Sequence, residues 1–121
     1  MVNSVLVVED DRDIREGLCT SLGLIGVHAI TAHDGSEALK ILSDIDPPCL
    51  ILLDLMMPVM DGWEFRVRQQ QDAKIANVPV IVITADGNAS EKARRMGAFA
   101  GLKKPLELSA LFDLVKVHCH S

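Results

Sequence analysis

The chain alternates short unbroken apolar runs with longer stretches whose apolar residues recur every three or four positions. Residues 4–8 (SVLVV) form a β-branched run too brief for a helix. Asp11 is placed to cap the next segment, where Ile14, Leu18, Leu22 and Ile25 keep helical spacing. Residues 27–31 predict a second strand. Asp34, with Glu37 three residues on, reads as a helix start, and Ala38, Leu39, Ile41, Leu42 and Ile45 supply its apolar stripe. Pro47-Pro48 ends that helix. Residues 49–53 (CLILL) are a third buried run; Pro58 and Gly62 bracket a loop, and a weaker helix follows over 63–72. Residues 78–83 (VPVIVI) predict the fourth strand. Asn88 reads as the cap of a short helix ending at Met96-Gly97, and residues 99–102 as a fifth strand. Leu108, Leu111, Phe112 and Val115 mark a last helix after Pro105.

The pattern is five β-α units. Continuous apolar strands between helices imply a parallel sheet covered on both faces, and right-handed crossovers make it a doubly wound three-layer α/β sandwich. Ligands of such folds bind beyond the carboxyl ends of the strands.

A length of 121 residues suits one domain, taken as 1–121. The net charge of −5 argues against nucleic acid as a partner, because phosphate binding needs a basic face. No apolar run approaches the roughly 20 residues of a membrane helix, and Met1-Val2-Asn3-Ser4 lacks the basic start of an export signal. The expected location is the cytoplasm. Cys19, Cys49 and Cys119 are odd in number and widely spaced, which predicts reduced thiols rather than a disulfide framework.

The predicted strand ends carry the chemistry. Glu9, Asp10 and Asp11 follow the first strand, Asp54 the third, Thr84 the fourth, and Lys103, Lys104 and Pro105 the fifth. Gathered carboxylates need a cation to stay ionised together, and oxygen-only ligands suit Mg²⁺. Asp54 can then act as a nucleophile toward a phosphoryl group, with Lys104 and the Thr84 hydroxyl on the transferring oxygens. Asp11 and Asp13 read as helix-start residues, and Lys103 as a surface charge. The X-Pro bond at Lys104-Pro105 suggests a tightly held turn, with a cis bond an option. The terminal His118-Cys119-His120 does not suit a tetrahedral metal site.

These motifs together resemble the response-regulator receiver domain of two-component signalling, and in length the stand-alone chemotaxis type. The resemblance rests on residues 5–11 (VLVVEDD), 53–62 (LDLMMPVMDG), 83–85 (ITA) and 103–105 (KKP), in order along essentially the whole chain. It implies a flavodoxin-like sheet of order 2-1-3-4-5. It implies that Asp54 accepts a phosphoryl group from a histidine kinase or a histidine phosphotransfer protein. Asp10, Asp54 and the Met56 carbonyl would ligate Mg²⁺ directly, Glu9 through water, and Mn²⁺ would substitute. Thr84 and Lys104 would bind the phosphoryl group. The fourth helix, fifth strand and last helix would form the face that reports phosphorylation to a downstream protein. The chain would act as a monomer or a phosphorylation-dependent dimer, and as a switch rather than an enzyme.

Two positions depart from the pattern. Gly101 stands where many members carry a rotating aromatic, three places before the lysine; strand alternation puts Phe99 on the same face. Met56, two places after Asp54, is apolar where the path of an attacking water runs, as is expected to slow acyl-phosphate hydrolysis. Met56 also speaks against a dehalogenase-type phosphatase, which needs a second Asp there as general acid. Glu9-Asp10-Asp11 would repel the phosphate of a flavin in a flavodoxin-type module. A phosphorylation-independent interaction domain stays open through Gly101.

Overall fold

The computed structural model describes residues 3–57 and 59–119. Strands and helices alternate: β1 (Ser4–Val8), α1 (Arg12–Leu24), β2 (His28–Ala32), α2 (Gly35–Asp44), β3 (Leu50–Asp54), α3 (Gly62–Gln70), β4 (Val80–Thr84), α4 (Ala89–Met96), β5 (Ala100–Lys103) and α5 (Leu108–His118). All pairings are parallel, in the order β2-β1-β3-β4-β5. This is the doubly wound sandwich that the alternation predicts.

The unbroken apolar runs have a direct cause. Successive side chains of each central strand serve opposite layers. Leu6, Val8, Ile51, Leu53, Val80 and Val82 pack with Leu42 of α2, Phe65 of α3 and Met96 of α4. Val5, Val7, Leu50, Leu52, Ile81 and Ile83 pack with Leu18 and Leu22 of α1 and Leu111 and Val115 of α5.

Three helices begin on an aspartate that accepts a main-chain N–H: Asp11 from Ile14 at 3.0 Å, Asp34 from Glu37 at 2.8 Å and Asp61 from Glu64 at 2.9 Å. The Asp61 cap lay unread in the sequence. Glu37 Oε1 also accepts the His33 N–H at 2.7 Å. The His33 ring contacts Glu37 at 2.8 Å and Asp34 at 3.3 Å. Asn88 is a correction. It occupies the N-cap position of α4 but makes no side-chain cap bond, because its φ of −105° and ψ of 34° depart from the extended geometry that aims a cap at the helix.

The observed strands β2 to β5 run one residue past their predicted ends, at residues 32, 54, 84 and 103. In β3, β4 and β5 the periodicity stops at the last apolar residue, Leu53, Ile83 and Leu102; pairing does not. Asp54 and Thr84 are therefore paired strand residues, opposite Ile83 and Lys103. The Lys104-Pro105 bond is cis.

The cysteines are a second correction. Cys49, just before β3, and Cys119, the C-cap of α5, are joined by a disulfide across 70 residues of sequence, while Cys19 is free. Spacing misled because parallel strands all start at one end of the sheet, and the helices between them finish there too. Pro58 and His120 lie outside the described residues.

Candidate functional site

The carboxyl ends of β1, β3, β4 and β5 form one rim. Glu9 directly follows β1 and is fully buried, held by two groups of α1 and its approach. Its Oε2 accepts the Asp11 N–H at 3.2 Å, and its carbonyl accepts from Arg15 Nη1 at 2.9 Å. Arg15 was not singled out from the sequence; its place in the first turns of α1, six residues past Glu9, was the available signal. Asp10 is exposed beside Glu9.

Asp54 ends β3 with 2% of its surface exposed. Its Oδ1 accepts the Met56 N–H at 3.1 Å. The chain then turns tightly into α3, and Gly62 is what lets it. A Cβ on Gly62 would sit 2.9 Å from the Asp54 carbonyl oxygen and 2.8 Å from the Leu55 side chain. Val59 in this loop adopts a φ of 68°, a costly region for a β-branched residue.

Lys104 reaches back from the end of β5. Its Nζ lies 2.8 Å from Glu9 Oε1 and 3.4 Å from Asp54 Oδ2. The approach to Glu9 is the shorter one and is invisible in the sequence, where 95 positions separate the two residues. Thr84, buried, stands one residue past the strand partner of Asp54. Its Oγ1 accepts the Asp86 N–H at 3.2 Å, which leaves its own hydroxyl proton free to donate.

Carboxylate oxygens of Glu9, Asp10 and Asp54 all lie within 4.8 Å of one another. Three acids thus face one ammonium group. The strain is visible at Glu9: burial pushes its carboxyl from 4.5 up to about 7, Asp54 adds to the rise, and Lys104 opposes it. Burial alone would lower the Lys104 ammonium, but the Glu9 and Asp54 carboxylates outweigh it and raise it. A compact, all-oxygen cluster with excess negative charge fits a hard divalent cation.

α4 flanks this rim and is held at both ends. At its start, Lys92 pairs with Asp86. At its end, buried Arg66 of α3 donates to the carbonyls of Met96 at 3.1 Å and Gly97 at 2.8 Å, and to Gln69 Oε1 at 2.8 Å. Gln69 in turn donates to the carbonyls of Ile75 and Val78. Between those ends α4 lies directly on β5. A Cβ on Gly101 would stand 2.2 Å from the Ala89 carbonyl oxygen and 3.2 Å from Ala93 Cβ. Glycine is required here by contact, and no aromatic fits. Phe99 is half exposed and meets His118 of α5 edge-on, with ring centroids 4.4 Å apart.

A profile of the response regulator receiver domain matches residues 5–116. The response regulator MprA of Mycobacterium ulcerans is 40% identical over 109 residues, covering 88% of this chain and 46% of that protein. MprA of Mycobacterium tuberculosis matches to the same extent. The chain thus spans about half the length of these curated relatives. Among solved structures, a response regulator receiver protein from Pseudomonas putida superposes with a TM-score of 0.88 at 28% identity, covering 97% of this chain and 98% of that one. The chemotaxis protein CheY4 of Vibrio cholerae gives 0.86 at 27%, covering 98% and 99%. With its sheet order, its acidic rim and these matches, the chain belongs to the response regulator receiver domain family of two-component signalling.

Proposed function

We propose that this domain is a phosphorylation switch whose acceptor is Asp54, charged by a sensor histidine kinase or a histidine phosphotransfer protein in the cytoplasm. The observation that carries the reading is the position of Lys104 Nζ between Glu9 and Asp54, at the rim where the three acids converge. Asp10, Asp54, the Met56 carbonyl and, through water, Glu9 would hold Mg²⁺ (or Mn²⁺ in its place), which would offset the acids and share the charge of the phosphoryl oxygens.

An Asp54 carboxylate oxygen attacks phosphorus as the phosphorus–nitrogen bond of the donor phosphohistidine breaks, and the imidazole departs with the bonding pair. Lys104 exchanges its carboxylate partners for a phosphoryl oxygen. The Thr84 hydroxyl donates to another, and as it turns it draws on the Asp86 N–H bonded to it. Asp86 is paired with Lys92, so this movement acts on the first turns of α4. The Arg66 bonds keep the far end of α4 in place. Phosphorylation therefore shifts the population of the α4–β5–α5 face, where the downstream protein binds, by the difference in stability it confers on the two states.

Incubation with acetyl phosphate and Mg²⁺ tests the reading. A base-labile phosphoryl adduct on the wild type, lost in Asp54→Asn, is the expected result; folded wild-type protein that takes up no phosphoryl group refutes it. A second reading, an interaction domain indifferent to phosphorylation, draws on Gly101, which leaves no aromatic to rotate. Equal target binding by phosphorylated wild type and Asp54→Asn would select it.

A further inference from the structure

We infer that Cys49 and Cys119 are a reversible thiol–disulfide couple, so that the domain also responds to the redox state of its surroundings by fastening or releasing the end of α5. The inference uses the cytoplasmic location proposed above. Disulfides are rare in that compartment, and those that form are transient, catalytic or sensing. A pair built to bond there is a device rather than a permanent staple.

Three features of the pair support this. First, the Cα atoms of the bonded pair lie 5.5 Å apart, inside the ordinary span of a disulfide. Second, the two partners are mounted differently. Cys49 is fixed at the head of a central strand, its N–H donating to the Ser4 carbonyl at 2.8 Å. Cys119 is the C-cap of α5, held by its N–H on the Val115 carbonyl at 2.8 Å. Opening one terminal turn exposes the Cys119 thiol, whereas Cys49 stays in place to receive it. Third, the layer around them is packed by large aliphatic side chains: Leu22, Leu50, Leu111 and Val115 are fully buried. Reduction therefore frees the end of α5 without dissolving the core.

The exchange uses a small-molecule disulfide such as oxidised glutathione. The Cys119 thiolate attacks one of its sulfurs and expels a glutathione thiolate, which takes up the proton that Cys119 lost. The Cys49 thiolate then attacks the Cys119 sulfur and expels the second glutathione in the same way. Two protein thiols are oxidised to one disulfide, and one glutathione disulfide is reduced to two thiols. The site is at the opposite end of the sheet from Asp54, beside the His118 ring that Phe99 abuts. It thus acts on the α5 side of the output face and not on phosphoryl transfer.

The test equilibrates the full chain in glutathione buffers from oxidising to reducing, traps free thiols with iodoacetamide, and locates them by mass spectrometry. Cys19, outside the disulfide, is the internal control: its labelling should not track the Cys49–Cys119 cross-link. The expected result is a Cys49–Cys119 cross-link that opens at an intermediate ratio. The oxidised form should melt about 10 °C higher than the reduced form, which stays folded. Cys119→Ser should melt like the reduced form and ignore oxidant. Acetyl phosphate labelling should be equal in both states, so a failed phosphorylation reading and a failed redox couple show in separate measurements. A cross-link that survives the most reducing buffer, Cys49 and Cys119 thiols that persist in the most oxidising one, or pairing through Cys19 would overturn the inference.

Discussion

Replacing Gly101 by alanine adds one methyl group, and its cost can be worked from the contact it meets. The new carbon would stand 2.2 Å from the Ala89 carbonyl oxygen and 2.6 Å from the Ala89 carbonyl carbon. Unstrained carbon contacts need about 3.5 Å, so the start of α4 must retreat by about 1 Å. The obstacle is main chain, and no side-chain rotamer relieves it. Retreat at the other end is resisted by the Arg66 bonds to Met96 and Gly97. α4 must therefore tilt, lifting Ala89 and Ala93 from β5. Overpacking of this kind costs about 1–3 kcal/mol, and the reduced freedom of the unfolded chain returns at most about 1 kcal/mol. The net is a loss of about 1–2 kcal/mol, or a urea midpoint lower by about 1 M. Hydrogen exchange should quicken across α4 and leave β1 and β3 unchanged. A Gly101→Ala variant as stable as the wild type, with α4 amides undisturbed, would show that α4 does not rest on β5 as described.

Three further outcomes follow from the same geometry. In chelator, stability should fall as pH rises from about 4.5 to 7, because the unfolded Glu9 ionises first while its folded counterpart, raised to about 7, keeps its proton. The full loss, about 3 kcal/mol above that window, should vanish in Glu9→Gln, and urea melts at pH 5 and pH 8 decide it. Arg66→Met should cost about 1–3 kcal/mol by leaving the Met96 and Gly97 carbonyls unpaired; Arg66→Lys should not restore it, since one ammonium cannot reproduce the fork. Met56→Asn should speed loss of phosphate from Asp54 by placing a polar group at an exposed position of the loop, and an unchanged decay rate would remove that role for Met56.

Periodicity tells which layer a residue serves but not which residue it meets. That is why the strands, their order of appearance and two of the aspartate caps, Asp11 and Asp34, were legible in the chain, whereas their ends were not. Asp54 and Thr84 are polar, so the apolar pattern stops before them, yet sheet pairing includes them and fixes their direction. The acids, the threonine and the lysine were readable as strand-end chemistry because the fold class alone brings those ends together. The partners were not: Lys104 on Glu9, Cys49 on Cys119 and Arg66 on the end of α4 are tertiary meetings between distant positions. Gly101 looked like a missing aromatic; only the packed helix reveals it as a seat.

Arg66 grips α4 through carbonyl oxygens, which every amino acid supplies, and not through any side chain of that helix. Its hold is therefore indifferent to what the outward surface of α4 spells. Glu91, Arg94 and Arg95, which pair among themselves in water, can be rewritten to suit a new recipient while the hinge beneath them is inherited unaltered. A scaffold anchored in this way separates the evolution of its message from the evolution of its machinery.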